Sequence, residues 1–391
     1  ASPGFSVATP MVASLDGVTP ADRLSNPFPS GLLPPIGASQ GLLTLAGLGV
    51  TFTEVSRPIS YSQQYSFGFQ YSPLGDLVVE ATYSGNRGIH LQNNNLNVNQ
   101  LTTAQLRLED ALLVRVPNPF FGRIPTGTLA TATTTAAQLL RPYPHFTGVT
   151  LREFTDGSAS YHAFLLKVER RFAKGFTFLG GYTNSKLLDN IGARQDNYNL
   201  AAARSLSAIH SPQRLSLSGV WELPFGHGGG VVARKLLRGW QLNWVGTLQT
   251  GIPLAITSAV NTTQSQGGGQ RPNSTGKSAL REGPVKDRRD RYFDTAQFVA
   301  PPPYQFGNLS RTLPDALGPG LHNWDISVIK DTAIGEKLRM QLRCEAFNIW
   351  NHPAFGNPGT TFGTASFGRI NEVANRANPA RQIQLAGRIA W

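Results

Sequence analysis

Side chains able to do chemistry are few in this 391-residue chain, and they are scattered. The seven histidines, His90, His145, His162, His210, His227, His322 and His352, form no HExxH pattern and no paired metal spacing, so they read as loop or lumen residues and not as ligands. The single cysteine, Cys344, excludes an internal disulfide and any cysteine-based zinc or iron–sulfur site, and reads as a small apolar strand residue. GTASFG at 363–368 misses a nucleophile elbow by one position, and GHGGG at 226–230 lacks the Lys-Ser/Thr of a phosphate-binding loop. Neither an enzyme nor a bound cofactor is expected. The chemistry that remains is electrostatic. Lys167, Glu169, Arg171, Arg214, Arg339, Arg343, Glu345 and Arg388 fall on the polar side of alternating segments, and Glu169 and Glu345 each stand two residues from an arginine. That spacing suits ion pairing and not general acid–base work. Bases so placed can pair with the carboxylates of a neighbouring domain or attract an anionic solute.

The elements that position these charges are strands. In QYSFGFQYSPLGDLVVEATYSG, residues 64–85, Tyr65, Phe67, Phe69 and Tyr71 fall on one side of an extended chain and Ser66, Gly68 and Gln70 on the other. A Pro/Gly/Asp turn follows, and Leu77, Val79, Ala81 and Tyr83 then alternate with Glu80, Thr82 and Ser84. The same period recurs in HAFLLKVERRF, FTFLGGYT, RLSLSGVWEL, WQLNWVGTLQ, NWDISVIKD, LRMQLRCEA and RQIQLAGRIAW, giving nine strands, several near ten residues long. That length is right for a tilted strand crossing a bilayer. The turns within pairs are short (72–76, 173–175, 332–337 and a longer 224–238), whereas the gaps between pairs are long (86–157, 185–212, 251–322 and 351–379). Short connections on one rim and long ones on the other are the pattern of an outer-membrane barrel, with short periplasmic turns and long extracellular loops. Trp221, Trp240, Trp244, Tyr83 and Tyr182 fall on the apolar side near strand ends, where aromatic girdles belong.

Composition agrees. Charged residues make up 15% of the chain, and Gly (41) and Pro (27) are plentiful, as in an all-β, loop-rich protein. No apolar run approaches the ~18 residues of a membrane helix, which leaves a β-barrel as the membrane option. The net charge is +12, but its densest basic run, KDRRDR at 286–291, holds two aspartates and no aromatics, so nucleic acid is not expected as a partner. Ala1 is not an initiator Met and no basic-then-apolar leader follows it, so the chain is read as processed or as a fragment.

The segments YSGNRGIHL, VPNPFFGRIPTGTL, QLLRPYPHFTGV, QDNYNLAAARS, GWQLNWVGTLQTGIPL, RPNSTGKS, GPGLHNWDISVIK and LRCEAFNIWNHPAFGNPG, with the strands above, resemble the C-terminal barrel of Oar-like TonB-dependent outer-membrane transporters abundant in acidobacteria. The resemblance runs from about residue 20 to the end. It implies an antiparallel barrel of about 22 strands with a plugged lumen. On that reading residues 1–57 are an extracellular loop of a truncated barrel, 58–391 are its last nine strands, and the plug is absent from this chain. The implied activity is uptake of a scarce large solute with energy from TonB, and the implied partners are outer-membrane lipid, TonB and the barrel-assembly machinery. Gln384, Ile389 and Trp391 match the terminal assembly signal of such barrels, while Ala386 stands where Gly is usual. Two alternatives remain open: a passive porin or adhesin on the same barrel, and a soluble carbohydrate-binding β-sandwich.

Overall fold

The computed structural model describes residues 3–93, 95–226, 230–334, 338–371 and 380–391. Nine long strands follow one another as β1 (Tyr61–Leu74), β2 (Leu77–Leu91), β3 (Gly157–Ala173), β4 (Phe176–Asp189), β5 (Gln213–Glu222), β6 (Trp240–Gln249), β7 (Leu321–Ala333), β8 (Arg339–Phe347) and β9 (Gln382–Ala390). Each pairs antiparallel with the next, so spatial order equals chain order and one sheet runs unbroken from β1 to β9. Outside this sheet two short strand pairs are parallel, Gly49–Thr53 with Gly148–Arg152 and Thr257–Ser258 with Thr361–Phe362, and so is an isolated bridge between Gly359 and Phe367.

The period-two pattern explains the sheet directly. Following partners across the register puts Phe67, Tyr83, Phe164, Leu166, Tyr182, Leu215, Leu217, Trp221, Leu242, Trp244, Ile326, Val328, Cys344 and Leu385 on one face. No second layer covers that face, which the described residues overlie only beside Lys330 near the short-turn end: Phe67 is 65% exposed and Leu385 77%. A water-soluble sandwich would cover this apolar surface with a second sheet, and none is present among the described residues. Towards the long-loop side the same face turns polar, with Asn184, Lys186, His162 and Arg87 following on Tyr182, Phe164 and Tyr83. Tyr83, Tyr182 and Trp244 therefore sit midway along their strands, which corrects their expected place near strand ends. Strands of 14 to 17 residues run well past the apolar stretch. A 15-residue strand is about 50 Å long, so even tilted by about 40° it overshoots an apolar band of about 25 Å. Trp221 and Trp240 do flank the β5–β6 connection, as expected.

On the apolar face, aromatic rings lie over cross-strand glycines. A Cβ added to Gly219 would meet the Trp244 indole at 2.2 Å, one on Gly85 the Tyr65 ring at 2.2 Å, and one on Gly246 the Trp324 indole at 2.8 Å. Rings laid on glycine recover contact area that a strand glycine forfeits and help hold the register. Gly219→Ala is expected to displace the Trp244 ring and cost about 1–3 kcal/mol. Trp244→Phe, by removing the outer ring atoms, should relieve much of that cost; denaturant midpoints of the single and double variants in detergent check this.

The hydrophobic core lies in the loops. Leu254, Ile256, Tyr292, Phe293, Phe298, Leu309, Leu313 and Ile370 form one buried cluster, with Phe293, Phe298 and Phe367 packed edge to face at 5.1 to 5.6 Å. Leu101, Leu106, Leu112 and Ala137 form a second. The short turns carry little structure. Lys174 and Gly175 both adopt positive φ (53° and 78°), the primed geometry that closes a two-residue hairpin. The His227–Gly229 part of the Gly-rich turn and residues 335–337 lie outside the described residues.

Candidate functional site

Two surfaces deserve comparison: the polar face of the sheet and a cavity roofed by the long loops. Lys167, Glu169, Arg214, Arg339, Arg343, Glu345 and Arg388 all map to the polar face. Arg171 does not follow by counting, because the register shifts between Arg170 and Ala173 and the alternation cannot be carried across that bulge. The pairings also differ from those the spacing suggests. Glu169 takes Lys167 (2.7 Å) in place of Arg171. Arg343 Nε donates to Gln341 Oε1 (2.6 Å), and Gln341 Nε2 donates in turn to Asp331 (3.1 Å), so Glu345 is not its partner. Side chains two apart on a strand point the same way, and a neutral amide that needs less desolvation wins the contact. Glu80, Glu222, Asp325 and Asp331 share this face with the bases, so its charge is mixed.

On the apolar face one cation is buried. Lys330 Nζ donates to the Lys235 carbonyl (2.9 Å) and the Arg238 carbonyl at the end of the helix α1 (Val231–Leu237), and lies 5.7 Å from the Trp240 ring. Carbonyls at a helix C-terminus are negative partial charges, and they satisfy the ammonium. Cys344 is free and exposed on the same face, consistent with the small apolar role read for it. Ile389 also falls on this face, Gln384 on the polar one, and Trp391 is 93% exposed beyond the end of β9.

The loops between β2 and β3, β4 and β5, and β6 and β7 converge on a cavity of about 710 Å³. APPPYQFG, residues 300–307, supplies Pro303, Tyr304, Gln305, Phe306 and Gly307 to its wall. QNNNLNVNQ divides its amides: Gln92 and Asn95 are exposed, whereas Asn93, Asn99 and Gln100 are buried. Asn99 Nδ2 donates to the Tyr143 and Phe146 carbonyls, and Gln100 Nε2 donates to the Gln195 carbonyl at 2.7 Å. These amides pin one loop to another, because buried backbone carbonyls require donors.

Four buried arginines stiffen this region, and they differ in how they are satisfied. Arg141 donates Nε to the Asn99 carbonyl (2.9 Å), Nη1 to the Thr147 carbonyl (2.6 Å) and Nη2 to the Gln266 carbonyl (3.0 Å); burial still pushes its guanidinium down to about 10. Arg194 pairs with Asp156 at 2.6 Å and lies over the Phe154 ring. Arg311 pairs with the Asp189 carboxylate at the top of β4 and donates Nε to the Ala203 carbonyl at 3.0 Å. Arg271, 7% exposed, has none of this. Its Nε and Nη1 are fully buried without a hydrogen-bond partner, and among the described residues no carboxylate pairs with it. Burial first, and Arg311 second, push its guanidinium down to about 10, so it stays charged at neutral pH. It lines the cavity. Nothing in local spacing marked it: Arg271 opens the RPNSTGKS stretch, and its isolation arises from residues far away in sequence.

The family model described as "Outer membrane beta barrel domain" matches residues 1–384. No curated protein matches the sequence. Among solved structures, the outer membrane transporter YddB from Escherichia coli is similar over 88% of this chain and 34% of its own, at 10% identity and a TM-score of 0.41. The FrpB iron transporter from Neisseria meningitidis is similar over 87% and 32%, at 11% identity and a TM-score of 0.38. The pyoverdine outer membrane receptor FpvA from Pseudomonas aeruginosa is similar over 85% and 30%, at 10% identity and a TM-score of 0.35. The chain thus spans about a third of the length of each.

Proposed function

Because this chain belongs to the outer membrane beta barrel domain family, an outer-membrane protein and not an enzyme, we propose that it is the C-terminal part of the barrel of a TonB-dependent transporter of the Oar-like kind. The observation that carries this reading is strand direction. Eight antiparallel steps separate β1 from β9, so the two run the same way. Closing them on each other would put a parallel seam in an antiparallel barrel. An odd number of further strands removes the seam, and a barrel of about 22 strands supplies one. Both edges are bare: β1 and β9 are exposed along their whole length, a liability that a complete barrel abolishes. In this reading Lys167, Glu169, Arg214, Arg339, Arg343, Glu345 and Arg388 face the lumen, where they meet a plug carried elsewhere in the protein. Trp221 and Trp240 mark the short-turn interface of the lipid band, Tyr83 and Tyr182 stand where its apolar face gives way to polar residues towards the loops, Trp244 lies inside the band, the long loops capture solute outside, and TonB supplies the energy. Gln384, Ile389 and Trp391 present the assembly signal at the periplasmic end.

The deciding measurement is intact mass and N-terminal sequencing of the native protein from outer membranes. A chain well above 42.2 kDa with a plug ahead of Ala1 is the expected result. A chain starting near Ala1 that still resists heat unfolding in mild detergent would point to the passive pore or adhesin instead.

A further inference from the structure

Among the described residues three places stand out where a ligand could be held by chemistry rather than by shape. The first is the His322–His352 pair, whose Nδ1 atoms lie 2.9 Å apart; Trp324 Nε1 already donates to His322 Nε2 at 3.1 Å, so both rings are consumed by each other and by the strand. The second is the apolar groove by Cys344, Leu385 and Gly387, which belongs to the lipid face already described. The third is the loop cavity, where a cation lacks a partner.

A guanidinium that is nine-tenths buried, charged and unpartnered is the costliest arrangement of polar atoms in the described loops. Its three buried counterparts show what this fold does with an arginine it needs for structure: it gives each one carbonyls or a carboxylate. Arg271 receives neither. The backbone N–H of Arg271 is held by Gln195 Oε1 at 3.0 Å, which anchors the residue at its main chain. Two carboxylates line the same cavity, Asp196 and Glu109, and neither is ion-paired with Arg271; Asp196 Oδ1 accepts from the Tyr198 N–H at 2.9 Å. The same wall carries apolar and aromatic side chains, Tyr304, Phe306 and Leu309. Tyr304 is itself held in a left-handed conformation (φ 61°), with its hydroxyl donating to Asp110 Oδ1 at 2.6 Å.

We propose that Arg271 is the anchor of an oxyanion site: the cavity takes a carboxylate or phosphate, bound by the guanidinium, carried on an organic body that lies against Tyr304 and Phe306. Arginine presents two parallel N–H groups to a planar or tetrahedral oxyanion, and a low-dielectric wall strengthens the contact. The ligand class follows from the cation and the aromatic side chains together: inorganic ions satisfy the cation and waste the aromatic side chains, whereas neutral aromatics do the reverse. This site deepens the transporter reading and rests on it only in taking the anion to be the solute captured outside.

The test uses the full native chain in detergent, with phenylphosphate, benzoate and neutral benzamide as probes, observed by saturation-transfer NMR and calorimetric titration. The expected result is binding of phenylphosphate or benzoate, no binding of benzamide, and a loss of at least about tenfold in Arg271→Met, with Arg271→Lys intermediate. Which of the two anions binds more tightly assigns the source as phosphate or carboxylate. Without any probe, Arg271→Met should unfold at the same temperature as the parent or higher, because an unpaired buried charge has been removed. Equal binding by the variant, binding of benzamide as tightly as benzoate, or a lowered unfolding temperature in Arg271→Met would each overturn the site. Because the assay needs neither TonB nor a membrane potential, it separates the two readings. Binding without energised uptake costs only the transporter, and uptake by a protein that binds no probe costs only the oxyanion site.

Discussion

Leu217→Arg is expected to destabilise the protein in bilayers by about 2–4 kcal/mol, whereas Ser216→Arg, one residue away, should cost less than about 1 kcal/mol. Leu217 lies on the apolar face in the middle of its band, between Gly180 on β4 and Gly246 on β6, with Leu215 towards the loops and Trp221 towards the short turn. Ser216 points to the other face, beside Gly181 and Thr247. An arginine at 217 has only lipid to meet, and the band is too tall for its head group to reach either interface from the centre without local thinning. One at 216 meets water and the mixed charges of the polar face. Denaturant titration of both variants refolded into lipid vesicles measures the difference. If the two cost the same, the apolar face is not the lipid face, and a soluble arrangement regains its place.

The second large effect concerns the ion pair that ties the sheet to its loops. Asp189 ends β4 and Arg311 belongs to the β6–β7 loop; both are buried, and Arg311 Nη2 also donates to the Asp189 carbonyl at 3.1 Å. Asp189→Ala would leave a second buried guanidinium uncompensated beside Arg271, and a loss of about 3–5 kcal/mol in loop stability is expected. The double variant Asp189→Ala with Arg311→Leu should recover much of that, since an apolar pair leaves no charge unpaired. Limited proteolysis within 250–320 reads this out, because the loop opens without the barrel dissolving. Recovery in the double variant separates a charge left unpaired from a simple loss of packing.

Much of the sheet was legible in the sequence because alternation is a local property. Each of the nine strands carries its own period, and the face of Leu217 or Arg214 follows from parity alone. Parity failed where a residue is inserted. Arg170 to Ala173 break register in β3, and Arg171, placed on the polar face by counting, falls inside that break. Strand lengths were also under-read, since Ser158, Ser160 and Arg87 continue the ladder beyond the apolar run that signalled it. Fold reading stopped at the loops for a different reason. Whether Asn99 reaches solvent or the Tyr143 carbonyl depends on partners some 40 residues away, and Arg271 is distinguished by what is missing around it. Type and spacing report what a residue can do, and its surroundings in space decide whether that capacity is spent.

The aromatic core formed by Phe293, Phe298, Phe367 and their neighbours has a consequence for how such a protein changes over time. It is built from loop residues alone and borrows no support from the sheet's apolar face. Substitutions on the lipid-facing strands and substitutions in the loop core therefore fall on separate sets of positions. The loop assembly can drift, be exchanged between relatives or be replaced by design as one inherited module, while the strands below keep the composition that export and membrane insertion demand.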